Sequence, residues 1–195
     1  MIAADQRSLL QQMFGEVELT EGEFSNFGEE WTVRYFPKRT LITEAGTVER
    51  YFYVVAQGVQ AIYLIDRRGE KRVLGFSYRG NFSGVYDSFL KQAPAIYFLE
   101  ALTDSTLLAL PYVNFQELFK RYPSFERWGR RFHQEILIGR VQREGELLTL
   151  SARERYVQFM RRCPPELLQI PQKYLASYLN MTPETFSRLR ASVKY

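Results

Sequence analysis

Between Trp31 and Ala101 the chain stops repeating its apolar residues at helical spacing and breaks into short runs rich in aromatic and β-branched side chains. The runs are Trp31 to Phe36, Thr40 to Ile42, Tyr51 to Val55, Gln60 to Ile65, Arg72 to Phe76 and Ile96 to Ala101. Turn signals separate them at Pro37, Ala45-Gly46, Gln57-Gly58, Asp66-Arg67-Arg68-Gly69 and Gly80-Asn81. Many short strands at such intervals predict an antiparallel sandwich or barrel, because each run is too short to bury a face unless several pair side by side. Arg67-Arg68-Gly69, lying between two alternating runs, is expected at an exposed hairpin tip.

On both sides of this block the apolar period is helical. Asp5 to Gly15 puts Leu9, Leu10 and Met13 on one side, and Thr20 with Glu23 three residues later forms a capping box that opens a helix running to about Glu29. The helical period returns after Leu107-Leu108-Ala109-Leu110-Pro111, with a short helix from Val113 to Arg121 broken at Tyr122-Pro123. Ser124 to Thr149 then contains no proline. Its apolar residues, Phe125, Trp128, Phe132, Ile136, Leu137, Val141, Leu147 and Leu148, cover more than one face. Such a helix has two partners to cover, and a twofold mate is the economical second one, with burial inside one chain as the other solution. Phe125, Trp128, Phe132, Ile136, Leu137, Val141 and Leu148 are the expected dimer contacts, and Gly129, Gly139 and Gly145 are possible points of close backbone approach. A second capping box, Ser151 with Glu154, starts a helix that Cys163-Pro164-Pro165 stops near Arg162.

From Ile170 to Arg190 two short amphipathic segments flank a break at Asn180-Met181. Thr182-Pro183-Glu184 opens the second: Thr182 caps free backbone N–H groups, and Pro183 at the first helical position gives up no hydrogen bond. Leu175, Ala176 and Leu179 against Phe186 and Leu189 supply the apolar spacing with which two helices pack across a turn. The pattern suits a DNA-reading helix-turn-helix, in which Thr182, Glu184, Thr185, Ser187 and Arg188 face base edges. It also suits a helical hairpin that caps a core. Charge favours the first. Beyond Leu150 there are eight cations (Arg153, Arg155, Arg161, Arg162, Lys173, Arg188, Arg190 and Lys194) against Glu154, Glu166 and Glu184, a net +5, more than the +4 of all 195 residues. A polyanion partner is expected at this end.

Composition removes several classes of function. One cysteine, Cys163, excludes a disulfide framework and a multi-cysteine zinc or iron–sulfur site, and one histidine, His133, excludes a multi-histidine metal centre. An enzyme on a cupin-like roll would need a metal triad or an acid/base pair in the barrel, and the only histidine lies outside it, so no catalytic residues, metal or cofactor are assigned. There is no apolar run long enough to cross a bilayer and no basic-then-apolar leader pattern, so a cytoplasmic protein without membrane contact is expected.

The order of elements, with Gly46, Gly58, Gly69, Gly80 and Gly84 at its turns, and above all Thr182-Pro183-Glu184-Thr185-Phe186-Ser187-Arg188, resembles the Crp/Fnr (catabolite-activator) family of bacterial transcription regulators. The resemblance implies an α+β chain: an N-terminal cyclic-nucleotide-binding-like β-roll, or double-stranded β-helix, at 1–122, a long dimerisation helix at 123–150 and a C-terminal helix-turn-helix domain at 151–195. It implies that Glu184 and Arg188 contact base edges, with Thr185, Ser187 and Arg190 on the same helix, while Gln172, Lys173 and Thr182 touch phosphate. The implied partners are palindromic double-stranded DNA, a second copy of the chain and RNA polymerase.

The roll departs from the family's cyclic-nucleotide pattern. In members that bind cyclic AMP, a Glu for the ribose follows the Gly-Asn-Phe turn and an Arg-Ser pair faces the phosphate. Here Gly80-Asn81-Phe82-Ser83-Gly84 is followed by Val85, and the Arg-Ser position falls near Ala95-Ile96. A buried phosphate without a cation is badly compensated, so binding of cyclic AMP in that mode is not expected. Phe82, Ser83, Gly84, Val85, Tyr86, Ala95 and Ile96 remain as the expected lining of a pocket for another small effector. His133 is a poor match to a haem ligand and Cys163 to a redox switch. A wing must come from Pro164 to Ile170, which allows at most a very short strand. The alternative function is a small-ligand receptor acting through protein partners, with a vestigial DNA-binding domain.

Overall fold

The computed structural model describes residues 2–192, so Lys194 lies outside the described residues. Two four-stranded antiparallel sheets face each other. One has the order β1 (Thr32–Phe36), β8 (Ser105–Pro111), β3 (Tyr51–Gln57), β6 (Phe82–Ser83), and the other β2 (Leu41–Thr43), β7 (Phe98–Ala101), β4 (Gln60–Ile65), β5 (Lys71–Ser77). Gly58 turns the chain from β3 into β4 with φ +90°, and a Cβ there would stand 2.4 Å from the Asp104 carbonyl, so the turn excludes every side chain. Helices follow at both ends: α1 (Ala4–Phe14) and α2 (Glu21–Glu29) before the roll, α3 (Tyr86–Lys91) within it, and α4 (Tyr112–Arg121), α5 (Pro123–Thr149), α6 (Ala152–Arg162), α7 (Gln172–Tyr178) and α8 (Pro183–Ser192) after it.

Side-chain alternation on β3 explains why the roll is covered. Phe52, Val54 and Ala56 point outward under the helices, while Tyr53 and Val55 point into the roll with Leu107 and Ala109 of β8. A strand buried on both faces loses its polar alternation, which hides β8 among apolar residues in the sequence. The two-residue β6 and the single-turn-and-a-half α3 are too short to show a period at all.

The outward cluster is built from rings. Phe14 of α1 meets Trp128 of α5 at 4.9 Å, Phe52 meets Phe115 of α4 at 4.7 Å, and Trp128 stacks on Phe132 at 5.1 Å. Phe125 and Trp128 are buried in this cluster of the chain's own residues, so the expectation that they face a dimer mate is corrected: the roll and α1 cover them. Gly129 likewise makes its close approach inside the chain, since a Cβ there would stand 2.5 Å from the Phe119 ring of α4. Residues 164–170, which allowed at most a very short strand, instead contain a 3-10 helix, Pro165–Gln169. Pro164 and Pro165 lack N–H donors, and a strand ladder there would be broken at its start.

Replacing Phe125 with Ala leaves a cavity at the centre of the ring cluster. Urea unfolding should show a loss of about 3–5 kcal/mol, read as a lower midpoint at unchanged slope.

Candidate nucleic-acid interface and effector cleft

Residues 156–192 pack as their apolar spacing predicts. Phe186 of α8 is buried against Tyr156 of α6 at 5.4 Å between ring centres, and Leu175, Ala176 and Leu179 complete the small core. Asn180 takes the left-handed conformation, φ +50°, that the turn between α7 and α8 needs. Arg155 of α6 holds this turn, donating to the carbonyls of Leu179 at 2.9 Å and Asn180 at 3.3 Å, and to Leu150 at 2.5 Å where α5 ends. Thr182 caps α8 by accepting from the Thr185 N–H at 3.2 Å.

With Phe186 and Leu189 turned inward, Thr182, Glu184, Ser187, Arg188 and Arg190 are exposed and Thr185 is half-buried. Glu184 is held below the usual carboxylate range by its own backbone N–H at the helix start, then by the Thr182 hydroxyl and the Arg188 guanidinium, so it is an anion at neutral pH. Lys173 is exposed at the start of α7 and Gln172 half-buried beside it. Not all the basic side chains of this end are available. Arg155 is engaged on carbonyls and Arg162 grips both oxygens of Glu146 at 2.7 and 2.8 Å, whereas Arg153, Arg161, Lys173, Arg188 and Arg190 are exposed and make no ion pair among the described residues.

The helix-turn-helix is seated on the roll. β5 is the outer strand of its sheet, and Ser177 of α7 satisfies its free edge: the Val73 N–H donates to Ser177 Oγ at 3.0 Å, and that hydroxyl donates to the Lys71 carbonyl at 2.7 Å. Tyr174 reaches the buried Glu100 at 3.3 Å, a carboxylate that also pairs with Lys71. Sequence patterning did not single out Glu100 or Ser177 and read Arg155 only as part of the basic excess, because a polar residue bonded across elements leaves no periodic signal.

Between the roll, α5 and α7 runs a cleft of about 970 Å³. Phe82, Ser83, Gly84, Tyr86 and Ile96 are among its lining residues. Val85 and Ala95 are not, and that expectation is corrected: both are buried behind Leu99, which itself lines the cleft. Glu49 is buried beside them, accepting from the Thr43 hydroxyl, from the Tyr51 N–H at 3.1 Å and from the Val85 N–H at 3.4 Å. The segment after Gly84 thus already gives its N–H to a carboxylate. His133 on α5 has both ring nitrogens engaged, donating from Nδ1 to the Gly129 carbonyl at 2.6 Å and accepting at Nε2 from the Tyr86 hydroxyl at 2.8 Å. Burial pushes the Cys163 thiol up to about 11, leaving little thiolate at neutral pH. Among the described residues no group of three or more His, Cys, Asp and Glu is placed to hold a metal, and no helix is long and apolar enough to cross a membrane.

Residues 33–122 match the cyclic nucleotide-binding domain family. The architecture as a whole superposes on FixK2 from Bradyrhizobium japonicum (TM-score 0.72, 20% identity, 83% of each chain covered) and on CLP, the c-di-GMP-responsive global regulator of Xanthomonas campestris (0.66, 21%, 88% of this chain and 90% of that one). It also superposes on the catabolite activator protein of Thermus thermophilus (0.52, 22%, 92% and 85%). The fold is that of the Crp/Fnr regulators. No curated protein matches the chain by sequence. Within the Crp/Fnr fold, the cleft lies between the roll and the long helix, and the helix-turn-helix forms its far end through Tyr178.

Glu49 yields a pH dependence with a definite sign. Burial raises its carboxyl above the usual range, against the opposing hydrogen bonds from Thr43, Tyr51 and Val85. The folded chain therefore holds this proton more tightly than the unfolded one. The stability is fully present below the unfolded value of about 4.3 and is lost as pH rises through the folded value. Thermal melts from about pH 4 to about pH 8 should show Glu49→Gln gaining stability relative to the parent as pH rises.

Proposed function

We propose that the chain is a homodimeric, DNA-binding transcription regulator of the Crp/Fnr type, with a sensor roll at 1–122, a dimer helix at 123–150 and a DNA-binding domain at 151–195. The observation that carries this reading is the outward face of α8, where Thr182, Glu184, Ser187, Arg188 and Arg190 are exposed above an apolar anchor of Phe186 and Leu189. Arg188 binds guanine O6 and N7 in two places and Glu184 accepts from cytosine N4, while Lys173, Gln172 and Thr182 meet phosphates. Two such helices related by a twofold read half-sites about one helical turn apart.

The second half of α5 supports the dimer. Ile138, Val141, Gly145 and Leu148 follow one another at spacings of three, four and three, the seam of a coiled coil, and Ile138, Val141 and Leu148 are 56%, 59% and 79% exposed. Leu137 flanks the seam at 64% exposure, and nothing lies within 4 Å of a Cβ at Gly145, which leaves room for close approach of a second backbone. The roll of this regulator does not respond to cyclic AMP: Val85 and Ala95 offer it neither a ribose acceptor nor a phosphate cation, and the Val85 N–H is already taken by Glu49.

Selection from randomised DNA with purified protein should enrich a palindrome. Arg188→Ala is expected to lose about 1–3 kcal/mol on the selected site and to relax one base position, whereas Lys173→Ala should weaken all sequences alike and lower the salt slope by about one. Absence of an enriched half-site, or an Arg188→Ala protein with unchanged selection, overturns the reading.

Val141→Glu places a charge on an exposed position of the free chain. Sedimentation should show the parent as a dimer and the variant as a folded monomer with unchanged helix content.

A further inference from the structure

The cleft is polar at its two ends and ring-lined between them. Phe76, Phe82, Tyr86, Tyr97, Phe132 and Tyr178 supply flat walls, and 970 Å³ is the size of a small-molecule site. Asp87, Lys91 and Glu135 border one end, and Arg140 and Arg143 the other. Glu135 and Arg143 are eight residues apart on α5, about 12 Å along its axis, so the carboxylates do not neutralise the arginines.

Arg143 is the unusual member. It is half-buried, burial pulls its guanidinium below the usual arginine value, and it makes no ion pair among the described residues, since the neighbouring Glu146 is held by Arg162. Its Nη2 donates to the Tyr178 carbonyl and its Cζ lies 4.0 Å from the centre of the Tyr178 ring, which leaves the remaining guanidinium donors without a hydrogen-bond partner among the described residues. Arg140 is exposed beside it and reaches the Leu74 carbonyl only at 3.5 Å. A half-buried cation with unused planar donors at the end of a ring-lined cleft is a receptor for a carboxylate.

We propose that the cleft binds an aromatic carboxylic acid, its ring between the aromatic walls and its carboxylate on Arg143, and that the bound molecule joins α5 to the helix-turn-helix through Tyr178. This deepens the regulator reading by naming the effector class, and it is tested without DNA. The carboxylate takes the free Arg143 donors while Nη2 stays on the Tyr178 carbonyl, so the occupied cleft holds α7 more firmly against β5. Anion recognition has thereby left the interior of the roll, which Glu49 occupies, for the helix side of the cleft.

Calorimetric titration of the full chain with benzoate, phenylacetate and 2-naphthoate, beside neutral 2-naphthalenemethanol, octanoate and cyclic AMP, reads the proposal directly. At least one aryl carboxylate should bind and raise Tm. It should bind about thirtyfold more tightly than the neutral alcohol, the loss expected when one partner of a buried charge pair is removed. Arg143→Gln should erase that preference while leaving the affinity of the neutral alcohol unchanged. If Arg143→Gln does not fold, Ile96→Glu, on the exposed rim opposite, should repel the acid without touching Arg143. No binding by any aryl carboxylate overturns the proposal. So does an octanoate or cyclic AMP affinity above theirs, or a preference for the acid that survives both variants. DNA selection by the unliganded protein is a separate readout, so loss of one claim leaves the other standing.

Discussion

The stacking of Trp128 and Phe132 against the outer face of the roll fixes the rotation of α5 about its own axis, and the remainder of the architecture follows from that rotation. With Phe82 at 4.7 Å from Phe132 and Phe125 wholly buried, the first three turns of the helix have no freedom to roll. Further along the same helix, Phe132, Ile136, Gly139, Arg140 and Arg143 face the cleft, while Ile138, Val141, Gly145 and Leu148 face away. At about 100° per residue the two groups are roughly 170° apart. One helix thus presents its own roll with one wall of the cleft and the solvent with an apolar seam, and a small rotation would spoil both.

The helix also delivers the C-terminal unit. Arg155 ties the end of α5 at Leu150 to the turn before α8, and the Glu146–Arg162 pair ties its last turns to α6. On the other side, Ser177 completes the edge of β5 and Tyr178 meets Phe76 at 5.3 Å. The helix-turn-helix is therefore held by polar contacts to carbonyls and an edge strand and by a shared apolar cluster, in which Val59, Ala61, Tyr63, Val73 and Leu102 of the roll are buried with Leu167, Ile170, Tyr174 and Leu175.

Much of this plan was legible in the residues because it rests on periodicity and caps. The Thr20–Glu23 and Ser151–Glu154 boxes form as read, and the apolar spacing of Leu175, Leu179, Phe186 and Leu189 builds the small core. What escaped did so for physical reasons. β8 is buried on both faces and shows no alternation, and α3 is shorter than two turns. For α5 the excess of apolar residues was plain, yet their division was not. A helix with two apolar faces gives no sequence signal telling which face its own chain covers, so Phe125 and Trp128 read as interface when they are core. Arg143 escaped because a lone arginine on a helix is nearly always solvated, and only the approach of Tyr178 from a distant segment makes it a half-buried cation.

The chemistry inside the roll argues for the same relocation from the opposite side. A carboxylate is buried at Glu49 only because a hydroxyl and two backbone N–H groups face it, and burial still pushes its proton affinity up. Those donors are already taken, and a second anion within a few ångströms would meet a repulsion that a low-dielectric interior magnifies. Val85 and Ala95 then close the layer with apolar atoms. The roll keeps the shape of a cyclic nucleotide-binding domain with a carboxylate in its interior, and Arg143, a half-buried cation that makes no ion pair among the described residues, stands on α5 at the junction with the helix-turn-helix. An anion that seeks Arg143 must enter beside Tyr178, and the contact that satisfies its charge is then made where α5 meets the helix-turn-helix.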